Sequence, residues 1–170
     1  MTDETQEGTD AAIAAVLALP GHEENPGGPS NELVAAALDE AGEVPKERRL
    51  LPVYILTAAL ALLVDEARWT QGEYAADENG RDTGKLNAPT ATCWCAEGAV
   101  YACAMEAFDR SRILLRATAT DSAVLACGML KAQIRSYYGN ENDTPVLTSW
   151  NDDQVHRAVV RLFRETIEAA

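Results

Sequence analysis

The chain has 170 residues, with 27 Asp and Glu against 14 Lys and Arg, and a formal net charge of −13. This length allows a buried core without disulfides or metals, and it predicts one domain. The charge excludes a protein that holds phosphates through clustered basic residues, so we expect no direct nucleic-acid binding. It suits a basic protein partner, or a DNA-binding protein approached by imitation of DNA, or it only keeps the chain in solution.

Neither apolar stretch of the chain is typical of a targeting signal or a membrane span. Ala11–Leu19 follows acidic residues, whereas a signal peptide begins with basic ones. Leu51–Val64 has 14 residues, fewer than the ~20 that a membrane-spanning helix needs. We therefore expect a cytoplasmic protein that makes no membrane contact and keeps its cysteines reduced.

Residues 1–50 contain 11 acidic and 3 basic residues and are expected to form a mobile acidic arm. Two short helices are predicted there, Asp10–Leu19 and Asn31–Ala41, joined by a Pro- and Gly-rich linker over His22–Pro29. Gly42 ends the second helix. Both helices have few large apolar residues, so they either dock on the main domain or form only on binding a partner.

Residues 51–170 are expected to form the main domain. Pro52–Arg68 is apolar nearly all round, which predicts a helix in the middle of the packing. The dipeptide Asn79-Gly80 predicts the turn of a small β-hairpin. Three further helices are predicted: Cys93–Asp109 capped by Thr90 or Thr92, Ser122–Tyr138, and a last helix capped by Asn151 or Asp152. The predicted fold class is mostly α, a single helical domain of about five helices with a small β-hairpin and a mobile acidic N-terminal arm.

The helix predicted to begin at Cys93 contains three of the four cysteines. The N-terminus of a helix favours a thiolate, so Cys93 and Cys95 are candidate nucleophiles. The Cys93-Trp94 pair resembles that of papain-like thiol proteases. In such a site His156 would be the base and Asn151 its orienting group. The order of histidine and asparagine is the reverse of that family's, so small buried hydrophobes are the simpler interpretation of these cysteines.

The metal-ligand patterns in the sequence are incomplete. The spacing Cys93-x-Cys95 is tighter than that of a zinc knuckle, and no second pair follows nearby. The segment Asp77–Asp82 has the composition of a calcium loop but lacks the final glutamate of an EF-hand. We therefore predict neither a metal nor a cofactor.

Each of the three tryptophans stands where a loop meets a predicted helix. They either line a binding site where these loops meet, or close the ends of the core with their indole N–H groups bonded to loop carbonyls. The residues predicted to bind a ligand or partner at this junction are Trp69, Gln71, Trp94, Cys95, Trp150, Asn151 and Asp152.

Four short motifs occur in an order that resembles a known family: Trp69-Thr-Gln-Gly72, Asp77-Glu-Asn-Gly80, Trp94-Cys-x-x-Gly98-Ala99 and Trp150-Asn-Asp152. Over Leu51–Ala169 the chain resembles the domain of unknown function 6197, which is common in actinobacteria and their phages. The resemblance implies that Cys95 is the family cysteine and that residues 1–50 are an extension. It also implies a longer segment than usual between residues 109 and 150, and it brings no known activity.

The leading functional hypothesis is a non-enzymatic accessory or regulatory binding protein of phage or prophage origin. It would act through its acidic surface on a basic or DNA-binding protein, with DNA mimicry as one form. The hypothesis depends on the strong acidity and the incomplete catalytic set. The alternative is a small cysteine-dependent enzyme or ligand-binding protein with a pocket near Trp69, Cys95 and Asn151. The reactivity of the thiols distinguishes the two hypotheses.

Overall fold

The computed structural model describes residues 29–42, 51–86, 88–111, 116–139 and 144–170. The helices in these ranges are α1 Pro29–Glu40, α2 Pro52–Leu63, α3 Ala96–Ser111, α4 Arg116–Tyr138, α5 Leu147–Asp152 and α6 His156–Glu168. Two short strands, β1 Ala75–Ala76 and β2 Cys93–Trp94, pair antiparallel. The predicted class, mostly helical with a small antiparallel sheet, is confirmed. The predicted helix Asp10–Leu19 and all but the last residue of the predicted linker lie outside the described residues.

Helix α1 packs on the main domain. Its buried apolar residues belong to the same core cluster as those of α2: Val34, Ala37 and Leu38. The hydroxyl of Tyr54 donates to the carbonyl of Leu38 at 3.0 Å, and Arg110 of α3 pairs with Asp39 at 2.7 Å. Gly42 follows the helix with a φ of 96°, as expected of a helix-ending glycine. The second predicted helix of the arm therefore docks on the main domain, which is one of the two alternatives given above. The division of the chain at residue 50 stays a prediction.

Helix α2 lies in the middle of the packing and contacts α1, α3, α4 and α6. Six of its side chains are buried: Ile55, Leu56, Ala58, Ala59, Leu62 and Leu63. Its predicted extension to Arg68 is wrong, because the helix ends at Leu63. Asp65 is extended and its carboxylate accepts from the backbone N–H of Ala67 at 3.1 Å, which begins a separate 3₁₀ turn at Glu66–Arg68.

The chain turns at Asn79-Gly80 as predicted. The N–H of Gly80 donates to the carbonyl of Asp77 at 2.9 Å, and Gly80 has a φ of 74°. The segment after this turn contributes only a single bridge, between Ala76 and Asp82. The strand that pairs with β1 is instead β2, because β2 carries a fully buried tryptophan whereas the segment after the turn is exposed.

The predicted start of the cysteine-rich helix is wrong. Cys93 belongs to strand β2, and α3 begins at Ala96. Neither Thr90 nor Thr92 can therefore be its cap, since both precede the strand. The helix predicted over Ser122–Tyr138 corresponds to α4, which begins earlier, at Arg116.

The end of the chain also differs from the prediction. A short helix, α5, runs through Asp152, and α6 begins separately at His156 with Val155 as its N-cap residue. Asn151 is therefore buried inside a helix and does not cap one. Helix α6 buries Leu162 and Phe163 as expected. Within the described ranges, no helix has both the length and the apolarity to cross a bilayer.

Candidate functional site

Asn151 is fully buried, and its amide uses its full hydrogen-bonding capacity. Its Oδ1 accepts from the indole N–H of Trp69 at 2.9 Å and from the backbone N–H of Ala96 at 3.1 Å. Its Nδ2 donates to the carbonyl of Thr70 and to the carboxylate of Asp152, both at 3.1 Å. A side-chain amide offers two donors and two acceptor sites, so none is left for a ligand. Asn151 thus joins α5 to the loop after α2 and to the start of α3.

The first turn of α3 is capped by two side chains. The Sγ of Cys95 accepts from the N–H of Gly98 at 3.3 Å, while the Cys95 carbonyl accepts from Ala99 at 2.9 Å. This is the geometry of an N-cap residue, with sulfur in place of the usual oxygen. The amide of Ala96 is satisfied by Asn151. The Cys95 thiol is therefore engaged with the helix that follows it.

Tyr74, directly before β1, approaches the same helix turn very closely. The carbonyl of Tyr74 accepts from the N–H of Cys95 at 3.2 Å. A Cβ placed on Gly98 would lie 1.9 Å from that carbonyl oxygen. Only glycine leaves room for this approach, which explains the residue at this position.

The segment Thr70–Gly72 closes the C-terminal end of α5. The amide Nε2 of Gln71 donates to the carbonyls of Asp152 at 2.7 Å and Gln154 at 2.9 Å. The carboxylate of Asp152 accepts from the N–H of Gly72 at 2.8 Å. The last carbonyls of a helix need donors from elsewhere, and Gln71 supplies one to the carbonyl of Asp152, the last residue of α5.

Two tryptophans meet in the junction, the place where Asn151 joins α5 to the loop after α2 and to the start of α3. Trp69 and Trp94 form a parallel bridge, and the N–H of Thr70 donates to the carbonyl of Trp94 at 3.1 Å. Trp94 is fully buried and its indole N–H donates to the carbonyl of Leu86 at 2.9 Å. Trp150 is buried in the core cluster. The indole of Trp94 thus has a loop carbonyl as its partner, whereas that of Trp69 has a side-chain amide.

His156 lies in the first turn of α6, with its Nε2 2.7 Å from the carbonyl of Leu63 at the end of α2. A carbonyl can only accept, so Nε2 carries the proton. The imidazole also packs against Trp69, with ring centroids 5.8 Å apart. In the described part of the chain, no hydrogen bond connects His156 with Cys93 or Cys95.

Burial raises the pKa of all four thiols. The pKa of Cys95 is raised to about 11 and that of Cys127 to about 12. The pKa values of Cys93 and Cys103 are raised as well. In each case the main cause is lost hydration of the thiolate, which at Cys95 outweighs the hydrogen bonds from backbone amides. The thiols are therefore protonated near neutral pH. The described residues contain no group of three or more His, Cys, Asp or Glu arranged to hold a metal ion.

A cavity of about 380 Å³ lies beside this junction, between β1, the loop that follows it and α3. Its charged and aromatic lining residues are Glu73, Tyr74, Asp82, Lys85, Glu97 and Tyr101. None of the residues predicted from the sequence to bind a ligand lines it. The spacing of Glu97 and Tyr101 places both on one face of a helix, but no sequence signal brings Tyr74 next to them.

The fold and the junction define a small helical protein in which a buried asparagine of α5 ties the loop after α2 to the start of α3. The chain belongs to the family of unknown function DUF6197, whose model matches residues 47–169. The resemblance inferred from the four motifs is thereby confirmed. No curated protein and no solved structure matches the chain.

Proposed function

We propose that this protein is a non-enzymatic accessory or regulatory binding protein that acts through its acidic surface on a basic protein partner. The observation that carries the proposal is a group of carboxylates on the loop after α2 and the start of α3, here called the acidic loop face: Glu73, Glu78, Asp82 and Glu97. Within the described residues none of them forms an ion pair. Carboxylates that are not neutralised by a basic side chain of their own protein attract a basic surface and guide its approach.

The chemistry of the junction supports a binding protein over a cysteine-dependent enzyme. The amide of Asn151 is saturated by internal hydrogen bonds, and Cys95 caps a helix. A nucleophilic cysteine needs a lowered pKa and a base within hydrogen-bond reach. Here burial raises the thiol pKa, and His156 contacts a backbone carbonyl.

A DNA-binding protein is the kind of basic partner that we favour. Such proteins present clustered Lys and Arg to phosphates, and the acidic loop face offers the complementary charge. In the DNA-mimicry form of the proposal, this protein and DNA compete for the same basic surface of the partner. A phage or prophage origin is consistent with a protein that acts on a host DNA-binding protein.

Affinity capture with the full chain tests the proposal. A basic protein should bind at an ionic strength of about 0.05 M and be released at about 0.5 M, because surface charges are screened at the higher value. The triple variant Glu73→Gln, Glu78→Gln, Asp82→Asn should weaken binding of the purified partner at least about tenfold. Competition with duplex DNA then identifies mimicry.

A matched control removes the same number of exposed carboxylates elsewhere: Glu40→Gln, Asp121→Asn and Glu168→Gln. This variant should bind the partner nearly as well as the natural protein. Capture of no salt-sensitive partner, or equal weakening by both triple variants, would contradict the proposal.

A further inference from the structure

The cavity beside the junction combines a carboxylate with two aromatic rings. Glu97 and Tyr101 stand one helical turn apart on α3, so their side chains lie on the same face. Tyr74 comes from the end of the segment that leads into β1, and half of its surface is exposed. The charge of Glu97 is the largest cause of the raised pKa of Tyr74, which places the phenol near that carboxylate. A carboxylate and two rings thus face one space.

These three polar ends have no partner among the described residues. The carboxylate of Glu97 and the hydroxyls of Tyr74 and Tyr101 form no hydrogen bond with another group of the described chain. Other tyrosines differ: the hydroxyl of Tyr54 donates to a backbone carbonyl, and that of Tyr137 donates to a carboxylate at 2.6 Å. The polar ends in the cavity are therefore free to bind a ligand.

The charge and size of the cavity favour a cation. Three carboxylates and one ammonium group line it, so its net charge is negative. Two tyrosine rings provide faces for a cation–π contact. A guanidinium suits such a site better than an ammonium, because it is planar, stacks on rings and can pair with a carboxylate through two hydrogen bonds. The volume of about 380 Å³ lies at the lower end of ligand cavities, which fits a side chain.

We propose that this cavity binds an arginine side chain of the basic protein partner, with the guanidinium on Glu97 and against the rings of Tyr74 and Tyr101. The inference rests on the proposed function and deepens it by naming the anchor of the interaction. Lys85, the lysine in the lining, reduces the attraction, so a single arginine binds weakly and gains affinity from the acidic loop face around it.

An NMR titration of the full chain tests the cavity directly. The probe is acetyl-arginine methylamide, and the control probe is acetyl-citrulline methylamide, which has nearly the same shape without the charge. We expect saturable shifts of the backbone amides of Tyr74, Glu97 and Tyr101 with the arginine probe only. Glu97→Gln should weaken this binding at least about tenfold, and Tyr101→Leu should weaken it as well.

The matched control is Glu168→Gln, which removes one exposed carboxylate at the end of α6 and should leave probe binding unchanged. Spectra of the variants without probe verify that each is folded. Equal binding of citrulline, equal weakening by both glutamine variants, or shifts spread over all exposed carboxylates would overturn the proposal.

The two proposals fail in different ways. If Glu97→Gln abolishes probe binding but leaves the captured partner bound as before, the arginine anchor is wrong and the proposed function stands. If no salt-sensitive partner is captured although the probe binds, the proposed function is wrong while the chemistry assigned to the cavity holds.

Discussion

The indole N–H of Trp69 donates a 2.9 Å hydrogen bond to the side-chain oxygen of Asn151, 82 positions further along the chain. Closing so long a loop costs conformational entropy, so the contact needs support from its surroundings. The same oxygen accepts from Ala96, and the rest of the amide binds Thr70 and Asp152. Through these contacts of Asn151, helix α5 holds the loop after α2 against the start of α3, although it has only six residues.

Replacement of Asn151 by alanine should strongly destabilise the fold. The change removes the partner of the buried backbone N–H of Ala96 and of the partly buried indole N–H of Trp69 and carbonyl of Thr70. A buried polar group left without a partner costs about 1–3 kcal/mol. We expect the free energy of unfolding to fall by about 3 kcal/mol or more in urea titrations. Gln154→Ala is the control, because the Gln154 side chain forms no hydrogen bond within the described residues. It should change the free energy of unfolding by less than about 0.5 kcal/mol. A similar effect of both variants would argue against a stabilising role for the hydrogen bonds of Asn151.

Replacement of Asn151 by aspartate should make stability depend on pH. The variant keeps an oxygen for Trp69 and Ala96, but its second oxygen would face the carbonyl of Thr70 and the carboxylate of Asp152. Burial and the neighbouring charge raise the pKa of the new carboxyl group, so the protonated form is favoured in the folded state. The stability of this variant should therefore rise as the pH falls through that pKa, relative to the natural protein. Parallel curves for the two proteins would contradict the assigned contacts.

Gly98 and Gly128 should respond in opposite directions to replacement by alanine. A Cβ at Gly98 would lie 1.9 Å from the carbonyl oxygen of Tyr74, whereas nothing lies within 4 Å of one at Gly128. Gly98→Ala must displace β1 from α3, and we expect a loss of about 3 kcal/mol or more. Gly128→Ala lies inside α4 and should stabilise it by about 0.5–1 kcal/mol. Thermal unfolding of both variants measures this contrast, and a mild effect at Gly98 would show that the close approach is not needed.

The sequence allowed several parts of this arrangement to be predicted. The apolar surface of α2 indicated its central position, and three of the four family motifs contain residues that meet at the junction. The structure gives these motifs physical roles: Gln71 closes α5, Cys95 caps α3, and Gly98 admits a carbonyl.

Other parts could not be predicted, because they depend on residues far apart in the chain. Asn and Asp are favoured helix caps, so the local sequence predicts that role for Asn151 or Asp152, but the partner of Asn151, Trp69, lies too far away in the chain to be predicted from it. Strand β2 has two residues and pairs with a segment well before it, which no periodicity reveals. The cavity was missed for the same reason, since it needs β1 beside α3.

Alkylation measures whether the thiols are reactive. Burial raises the pKa of Cys93 and Cys95, so the thiolate fraction near neutral pH should be smaller than in a free cysteine. We expect the folded protein to react with iodoacetamide more slowly than a model thiol at the same pH. After denaturation all four cysteines should react at ordinary rates. Faster labelling of either cysteine in the folded protein would instead support the cysteine-dependent alternative.

Cys95 should make the fold sensitive to alkali. Its pKa is raised from 9.0 to about 11, mainly by burial, so the folded state holds the thiol proton more tightly than the unfolded state does. This contribution to stability is complete below about pH 9 and is lost as the pH rises toward 11, at up to about 1.4 kcal/mol per pH unit. Cys95→Ser retains an oxygen that can cap α3 but does not titrate in this range, so its stability should fall less over the same interval. Urea titrations of both proteins between about pH 8 and about pH 11 provide the comparison, and an equal loss in both would show that Cys95 does not cause the sensitivity.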